Sequence, residues 1–264
     1  MNFDLSKYPL IGMIHLPNLT ETSNLEEIYR YAISEASLLQ DLGYSAVMIE
    51  NFNDTPFVKS SLNENTLIKY SIVLYEVNKQ TKIPIGVNLL RNACVQAMKV
   101  ASVLDLPFIR CNVWEGAYVT DQGIIEGASY DVVRTRRDLD SQTKILADIH
   151  VKHASPIGNF SILESAENAL LRGNADQIIV SGVSTGSAPE MEKLKILSNN
   201  KIRPIIGSGI SIDNLSIYEE HISGAIVGTS IKIDKNVSNQ IDETLASDFL
   251  QSWRETFDSF SRSF

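Results

Sequence analysis

The sequence predicts an α/β fold, a single-domain (β/α)8 TIM barrel, and three observations carry that prediction. Short apolar runs alternate with helix-patterned stretches along almost the whole chain, eight such runs can be counted in 264 residues, and most leave through polar or glycine-containing segments. Unbroken strand and helix alternation implies parallel pairing, because parallel neighbours need a crossover connection. Eight units in about 250 residues favour a closed barrel over an open doubly wound sheet, the alternative architecture. No Pro/Gly/Ser-rich linker or shift of composition divides the chain, so residues 1–264 are read as one domain.

Taken in order, residues 10–16 form the first strand, with His15 at its exit and Pro17 closing it. Residues 25–42 follow as a helix, with Ile28, Tyr31, Ala32, Ala36, Leu38 and Leu39 at helical spacing and Gly43 as the stop signal. Residues 45–49 are the second strand, running into Glu50 and Asn51; 65–77 are helical, and 83–87 form a strand leaving through Asn88 and Arg91. A helix at 93–104 leads to a strand at 108–113 that carries Arg110 and Asn112. The connection from Trp114 to about Tyr130 is longer than an ordinary barrel loop, as a lid or binding loop would be. Within it, Asp121-Gln122-Gly123 is either a segment that swings over a ligand or simply an Asp-initiated turn. A helix at 130–139, with its arginines on the wet face, precedes the fifth strand. Then come a helix near 162–171, a strand at 177–180, a polar stretch at 181–187 and a helix from Pro189 to Leu197. The seventh strand, 203–206, leaves through Gly207-Ser208-Gly209 into a short helix capped by Asp213 or Ser211. The eighth, 224–227, leaves through Gly228-Thr229-Ser230, and a helix at 242–260 closes the chain.

The fifth strand, within Lys-Ile-Leu-Ala-Asp-Ile-His-Val-Lys-His at 144–153, shows the chemistry most clearly. Ile145, Leu146, Ala147 and Ile149 suit a strand buried on both sides, whereas Asp148, His150, Lys152 and His153 belong at a mouth. Alternating side-chain directions put Asp148, His150 and Lys152 on one face. For this strand alone, a solvated end with paired ions is an equal explanation. In a barrel, function collects at the carboxyl ends of the strands. Placed there, the chain offers His15, Glu50, Asn51, Asn88, Arg91, Arg110, Asn112, Trp114, Asp148, His150, Lys152, Ser181, Thr185, Ser208, Thr229 and Ser230, too many polar groups for a passive scaffold.

Gly207, Ser208, Gly209, Gly228, Thr229 and Ser230 end strands seven and eight, where barrels often seat a phosphate on backbone N–H groups. Glycine lets the backbone approach an anion, and the hydroxyls add donors. A strand-to-loop turn explains a single such glycine, but two turns on adjacent strands favour phosphate; Lys232 either adds charge there or sits in water. A carboxylate at the end of a buried strand loses solvation and is fitted to carry protons unless a cation compensates. Glu50 and Asp148 are therefore the acid/base candidates, tuned by His150 or Lys152, the latter also a candidate Schiff-base amine. His15, Asn88, Arg110, Asn112 and Asp121 are the candidate substrate contacts, with Arg110 either an ion-pair partner or a carboxylate clamp. A divalent ion suits the ligand types at Glu50, Asp148, His150 and His15, but nothing in their spacing requires one. No cofactor is identified, and His153 and His221 are read as surface or packing residues.

The net charge of -9 argues against nucleic acid as a partner, since that needs a basic face. No apolar run approaches the length of a membrane span, and the N-terminal segment lacks the pattern of a secretory signal. Two cysteines outside any metal-binding spacing suggest free thiols and a reducing cytoplasm. The closing segment, with Leu245, Phe249, Trp253, Phe257 and Phe260, packs either on its own barrel or on a second subunit, the latter giving a homodimer.

Taken together, these motifs resemble the BtpA/SgcQ family nearly end to end. The resemblance rests on Ile11-Gly12-Met13-Ile14-His15-Leu16-Pro17, Ile49-Glu50-Asn51-Phe52-Asn53-Asp54-Thr55-Pro56-Phe57 and Gly86-Val87-Asn88-Leu89-Leu90-Arg91-Asn92. It continues through Arg110-Cys111-Asn112, residues 120–127, residues 147–154 and the two glycine turns. The chain departs from the family pattern at Asn53, where glycine is usual, and at Ala93, where aspartate is usual. The resemblance implies a barrel; the family's names come from photosystem I accumulation and from a sugar-related gene cluster, and neither supplies a reaction.

Two functional expectations follow. One is an enzyme acting on a small phosphorylated molecule, a sugar phosphate or nucleotide-like compound, by isomerisation, lyase chemistry or glycosidic-bond hydrolysis. The other is a non-catalytic assembly or regulatory factor that uses the barrel as a scaffold.

Overall fold

The computed structural model describes residues 3–22, 24–151, 153–182 and 189–260, the side chains of 258–260 excepted. Lys152, Thr185 and the side chain of Phe260 therefore lie outside the described residues. The chain runs β1 (Leu10–His15), α1 (Leu25–Leu42), β2 (Ala46–Glu50), α2 (Glu64–Gln80), β3 (Ile85–Asn88), α3 (Cys94–Val103) and β4 (Phe108–Cys111). It continues β5 (Ala117–Thr120), β6 (Gly123–Glu126), α4 (Ser129–Asp138), β7 (Lys144–Ile149), β8 (Ser155–Pro156) and α5 (Ile162–Glu167). It ends β9 (Gln177–Val180), α6 (Met191–Asn199), β10 (Ile205–Ile206), α7 (Leu215–Tyr218), β11 (Gly224–Val227) and α8 (Glu243–Phe260).

Eight strands close in the order β1-β11-β10-β9-β7-β4-β3-β2, all neighbours parallel, so the molecule is a (β/α)8 barrel. Each of the eight apolar runs is one of these staves. Side-chain alternation sorts every strand into two layers. Ile11, Met13, Ala46, Met48, Phe108, Leu146, Ile179, Ile205 and Ile226 fill the barrel interior, with Phe3 stacked on Phe108 at a centroid distance of 4.3 Å. The alternate residues, such as Ile14, Val47, Val87 and Ile178, pack outward against the helices. The next inward position on each stave is polar or glycine: His15, Glu50, Asn88, Arg110, Asp148, Ser181, Gly207 and Gly228. Those eight positions form the floor of the mouth.

The long fourth connection is not irregular. β5 and β6 pair as an antiparallel hairpin, and β8 adds a third strand to it. Tyr118 and Ile125 pack with Val113 and Val151, while Val119 and Ile124 on the other face are about half exposed.

Closure of the barrel is secured from the C-terminal side. Trp253 and Phe257 stack at 4.1 Å, Trp253 Nε1 donates to Tyr8 O at 3.3 Å, and Tyr44 Oη donates to Ala246 O at 2.9 Å. Phe249, Trp253 and Phe257 are buried on their own barrel, each such side chain stabilising the fold by about 1.5–3 kcal/mol. Lys232 neither sits in water nor lines the mouth: it is fully buried, and its Nζ donates to Glu35 Oε2 of α1 at 3.0 Å. The burial comes from the turn after β11, which tucks this residue beneath α1 while Glu35 also accepts from Ile241 N at 3.0 Å.

Candidate active site

Alternation delivers the strand-end residues to the mouth, and one cavity of about 560 Å³ gathers both glycine turns with three of the strand-end side chains expected there. His15, Glu50, Arg110, Gly207, Ser208, Gly209, Gly228, Thr229 and Ser230 all line it. Glu50 is buried; Oε1 accepts a hydrogen bond from Asn88 Nδ2, and Oε2 lies 3.7 Å from His15 Nε2. The His15 ring packs edge-on to Phe52 at 4.9 Å. Behind Glu50, Tyr70 Oη donates to Ile49 O at 2.6 Å and fixes the end of β2.

Asp148, at the end of β7, is buried behind Arg110 and is not among the residues lining that cavity. It accepts from Arg110 Nε at 3.0 Å and Nη2 at 2.9 Å, and from Asn112 Nδ2 at 3.0 Å. Burial alone would lower the Arg110 guanidinium, but the Asp148 carboxylate raises it above its ordinary value. Of the two readings of Arg110, the ion pair is the one realised. Arg91, also buried, is lowered by desolvation, with the charges of Asp148, Asp121 and Glu50 opposing that shift. Asp121 itself is exposed at the tip of the β5–β6 hairpin, and its charge reaches the mouth through Arg91.

The two glycine turns meet across the cavity. Ser230 Oγ donates to Ile210 O at 2.5 Å, tying the turn after β11 to the turn after β10. Gly209 takes φ +81°, which only glycine adopts without strain. Thr229–Ile231 is a single 3-10 turn whose leading N–H groups have no acceptor within the turn. Lys235 lines the same cavity with an exposed side chain. Sequence reading missed this cation, because it reaches the site through an irregular backbone with φ +51° that no periodicity marks.

Three expectations are corrected by the geometry. His150 does not share a face with Asp148, because β7 ends at Ile149 and His150 takes φ +49°, which breaks the alternation. It lines a second cavity of about 230 Å³ with Tyr118, His153, Ser181, Glu190 and Lys193. Burial lowers its imidazole below the ordinary value, and Lys193 adds to the effect. Trp114 points into the helix layer instead of the mouth, fully buried, with Nε1 donating to Ala169 O at 3.3 Å. Asn51 is structural, accepting from Leu90 N at 2.8 Å and donating to Asp54 Oδ2 at 3.2 Å. His221 packs as expected, its Nδ1 2.8 Å from Ser198 Oγ. Among the described residues, no three His, Cys, Asp or Glu groups are placed to hold a metal ion together.

With this geometry in hand, comparison with known proteins gives the lineage. The model of the BtpA family matches residues 6–255. The chain belongs to the BtpA family. It is 36% identical over 253 residues to the photosystem I biogenesis protein BtpA of Synechocystis sp., covering 94% of this chain and 88% of that protein. An uncharacterised protein of Methanocaldococcus jannaschii is 40% identical over 243 residues, covering 89% of this chain and 91% of its own. Among solved structures, the native KDPGal structure superposes with a TM-score of 0.59 at 15% identity, over 97% of this chain and 98% of that chain. At that identity the likeness is one of fold, so the chemistry of this BtpA family member has to be argued from its own mouth.

Proposed function

We propose that this BtpA family barrel is a cytoplasmic enzyme acting on a small phosphorylated molecule, a sugar phosphate or nucleotide-like compound, by carboxylate-mediated proton transfer. The observation that carries this reading is that both glycine turns and the Glu50–His15 pair line one cavity. The turns after β10 and β11 seat the phosphate, with Lys235 as its cation. Glu50 faces the bound molecule and moves the proton, His15 sharing it across 3.7 Å and Asn88 orienting the carboxylate. Asp148 holds Arg110 and Asn112 in place, so it acts through them as a positioning group. Isomerisation, lyase chemistry and glycosidic-bond hydrolysis all use such a constellation.

The rival reading, an assembly or regulatory factor, draws on the name of the Synechocystis relative and on the exposed stripe Ile68, Ile72 and Tyr75 along α2. An open mouth of about 560 Å³ favours the enzyme, because a scaffold has no need to keep a buried carboxylate, Glu50, facing a cavity. A thermal-shift screen of phosphorylated sugars and nucleotides, with and without Mg²⁺ or Mn²⁺, tests the proposal. A ligand at a hundred times its Kd should stabilise the fold by about 2.7 kcal/mol. If no phosphorylated compound shifts the transition, the reading fails.

A further inference from the structure

Four buried side-chain atoms around the mouth have no protein partner among the described residues: Asn88 Oδ1, Asn112 Oδ1, Ser181 Oγ and Ser208 Oγ. The orientation of the two amides follows from their other ends. Asn88 Nδ2 is turned to Glu50 and Asn112 Nδ2 to Asp148, which leaves the two carbonyl oxygens over. Ser181 adjoins Arg110 closely: a Cβ built on Gly207 would lie 2.5 Å from Ser181 Oγ and 3.1 Å from Arg110 Nη2. Leaving a buried donor or acceptor unpaired costs about 1–3 kcal/mol. Four of them, one at each of four strand ends, with Ser208 in the main cavity and Ser181 in the second, call for a hydrogen-bonding molecule.

The neighbouring charges narrow the class of that molecule. The Arg110 charge is already met by Asp148 through Nε and Nη2, and a further acid would confront Glu50 and Asp148. Hydroxyl groups donate to amide oxygens and exchange hydrogen bonds with serines, which suits all four unpaired atoms. Resting on the phosphate seat argued above, we infer that the body of the substrate is a neutral polyol, a phosphorylated sugar or sugar alcohol, and not a carboxylic acid. Its hydroxyls meet Asn88, Asn112, Ser181 and Ser208 while its phosphate occupies the two glycine turns.

Isothermal titration of the full chain with three probes tests this: inorganic phosphate, n-pentyl phosphate, and a panel of pentitol and hexitol phosphates covering the common configurations. All three classes should bind, and the best polyol phosphate should bind about a hundredfold more tightly than n-pentyl phosphate, since a site built for hydroxyls rejects the analogue lacking them. Ser181→Ala, which removes one oxygen that bonds nothing in the protein, should erase about tenfold of that advantage and leave inorganic phosphate binding unchanged. Asn112→Leu should do the same; because it also touches Asp148, the serine variant keeps the test valid if the leucine variant fails to fold. If inorganic phosphate binds but no polyol phosphate exceeds n-pentyl phosphate, the polyol inference is overturned and the phosphate seat stands. If no phosphate compound binds, both fall.

Discussion

Glu50 and Asp148 look alike in the sequence and are treated differently by the structure. Glu50 keeps one oxygen near His15 and faces the cavity, so Glu50→Gln should cut turnover of any substrate identified by about 10²–10⁴-fold with phosphate binding intact. Steady-state kinetics beside phosphate titration checks this, and full activity in the variant would remove Glu50 from proton transfer. Asp148 neutralises a buried guanidinium, so Asp148→Asn should destabilise the fold by about 3–5 kcal/mol, read by urea denaturation; a loss under about 1 kcal/mol would deny the ion pair its structural weight. His150, lowered by burial, is held neutral in the fold while the unfolded chain takes up a proton near pH 6.5. Its contribution therefore lowers stability as pH falls below that value and vanishes above it. An NMR titration should find it as a depressed histidine among the four in the chain; a midpoint above 6.5 would contradict the burial argument. At this scale, the sequence revealed which residues reach the mouth, because alternation on a strand is regular. It did not reveal the partners of Asp148 or the burial of Lys232, which depend on how neighbouring staves and turns approach.

Elements carry the next layer of the account. The turn after β10 needs glycine twice: Gly209 for its φ of +81°, and Gly207 because a Cβ there would lie 2.5 Å from both Ile179 Cγ2 and Ser181 Oγ. Gly207→Ala should cost about 1–3 kcal/mol by overpacking, and Gly209→Ala about 1–2 kcal/mol by backbone strain. Both should weaken phosphate binding in titration; unchanged binding in both would move the seat elsewhere. The buried Lys232–Glu35 pair fastens the neighbouring turn to α1, and Glu35→Ala, by leaving Lys232 uncompensated, should cost about 3–5 kcal/mol in the same denaturation measurement. The β5–β6 hairpin was legible in principle: Tyr118-Val119-Thr120 and Gly123-Ile124-Ile125 flank Asp121-Gln122 as two short strands flank a tight turn. Its length disguised it as a loop. The strand after Ile149 misled in the opposite direction, since the extended pattern continues in the sequence but the backbone turns at His150.

Across the whole molecule, eight parallel staves bring polar residues from every part of the chain to one end, and that convergence is the property on which the functional reading depends. The barrel was readable because eight apolar runs and their helices repeat without a break; the division between a main cavity and the smaller one beside β7 and β9 was not, since it arises from loop paths. Among the described residues, the α8 aromatics Phe249, Trp253 and Phe257 are spent on closing the barrel. A crystal structure with the tightest-binding phosphorylated compound tests the central claim most directly. The account predicts the phosphate between Gly207–Gly209 and Gly228–Ser230, with the rest of the molecule lying over Glu50 and His15. A phosphate bound outside that cavity, or one inside it with its organic part turned away from Glu50, would contradict it.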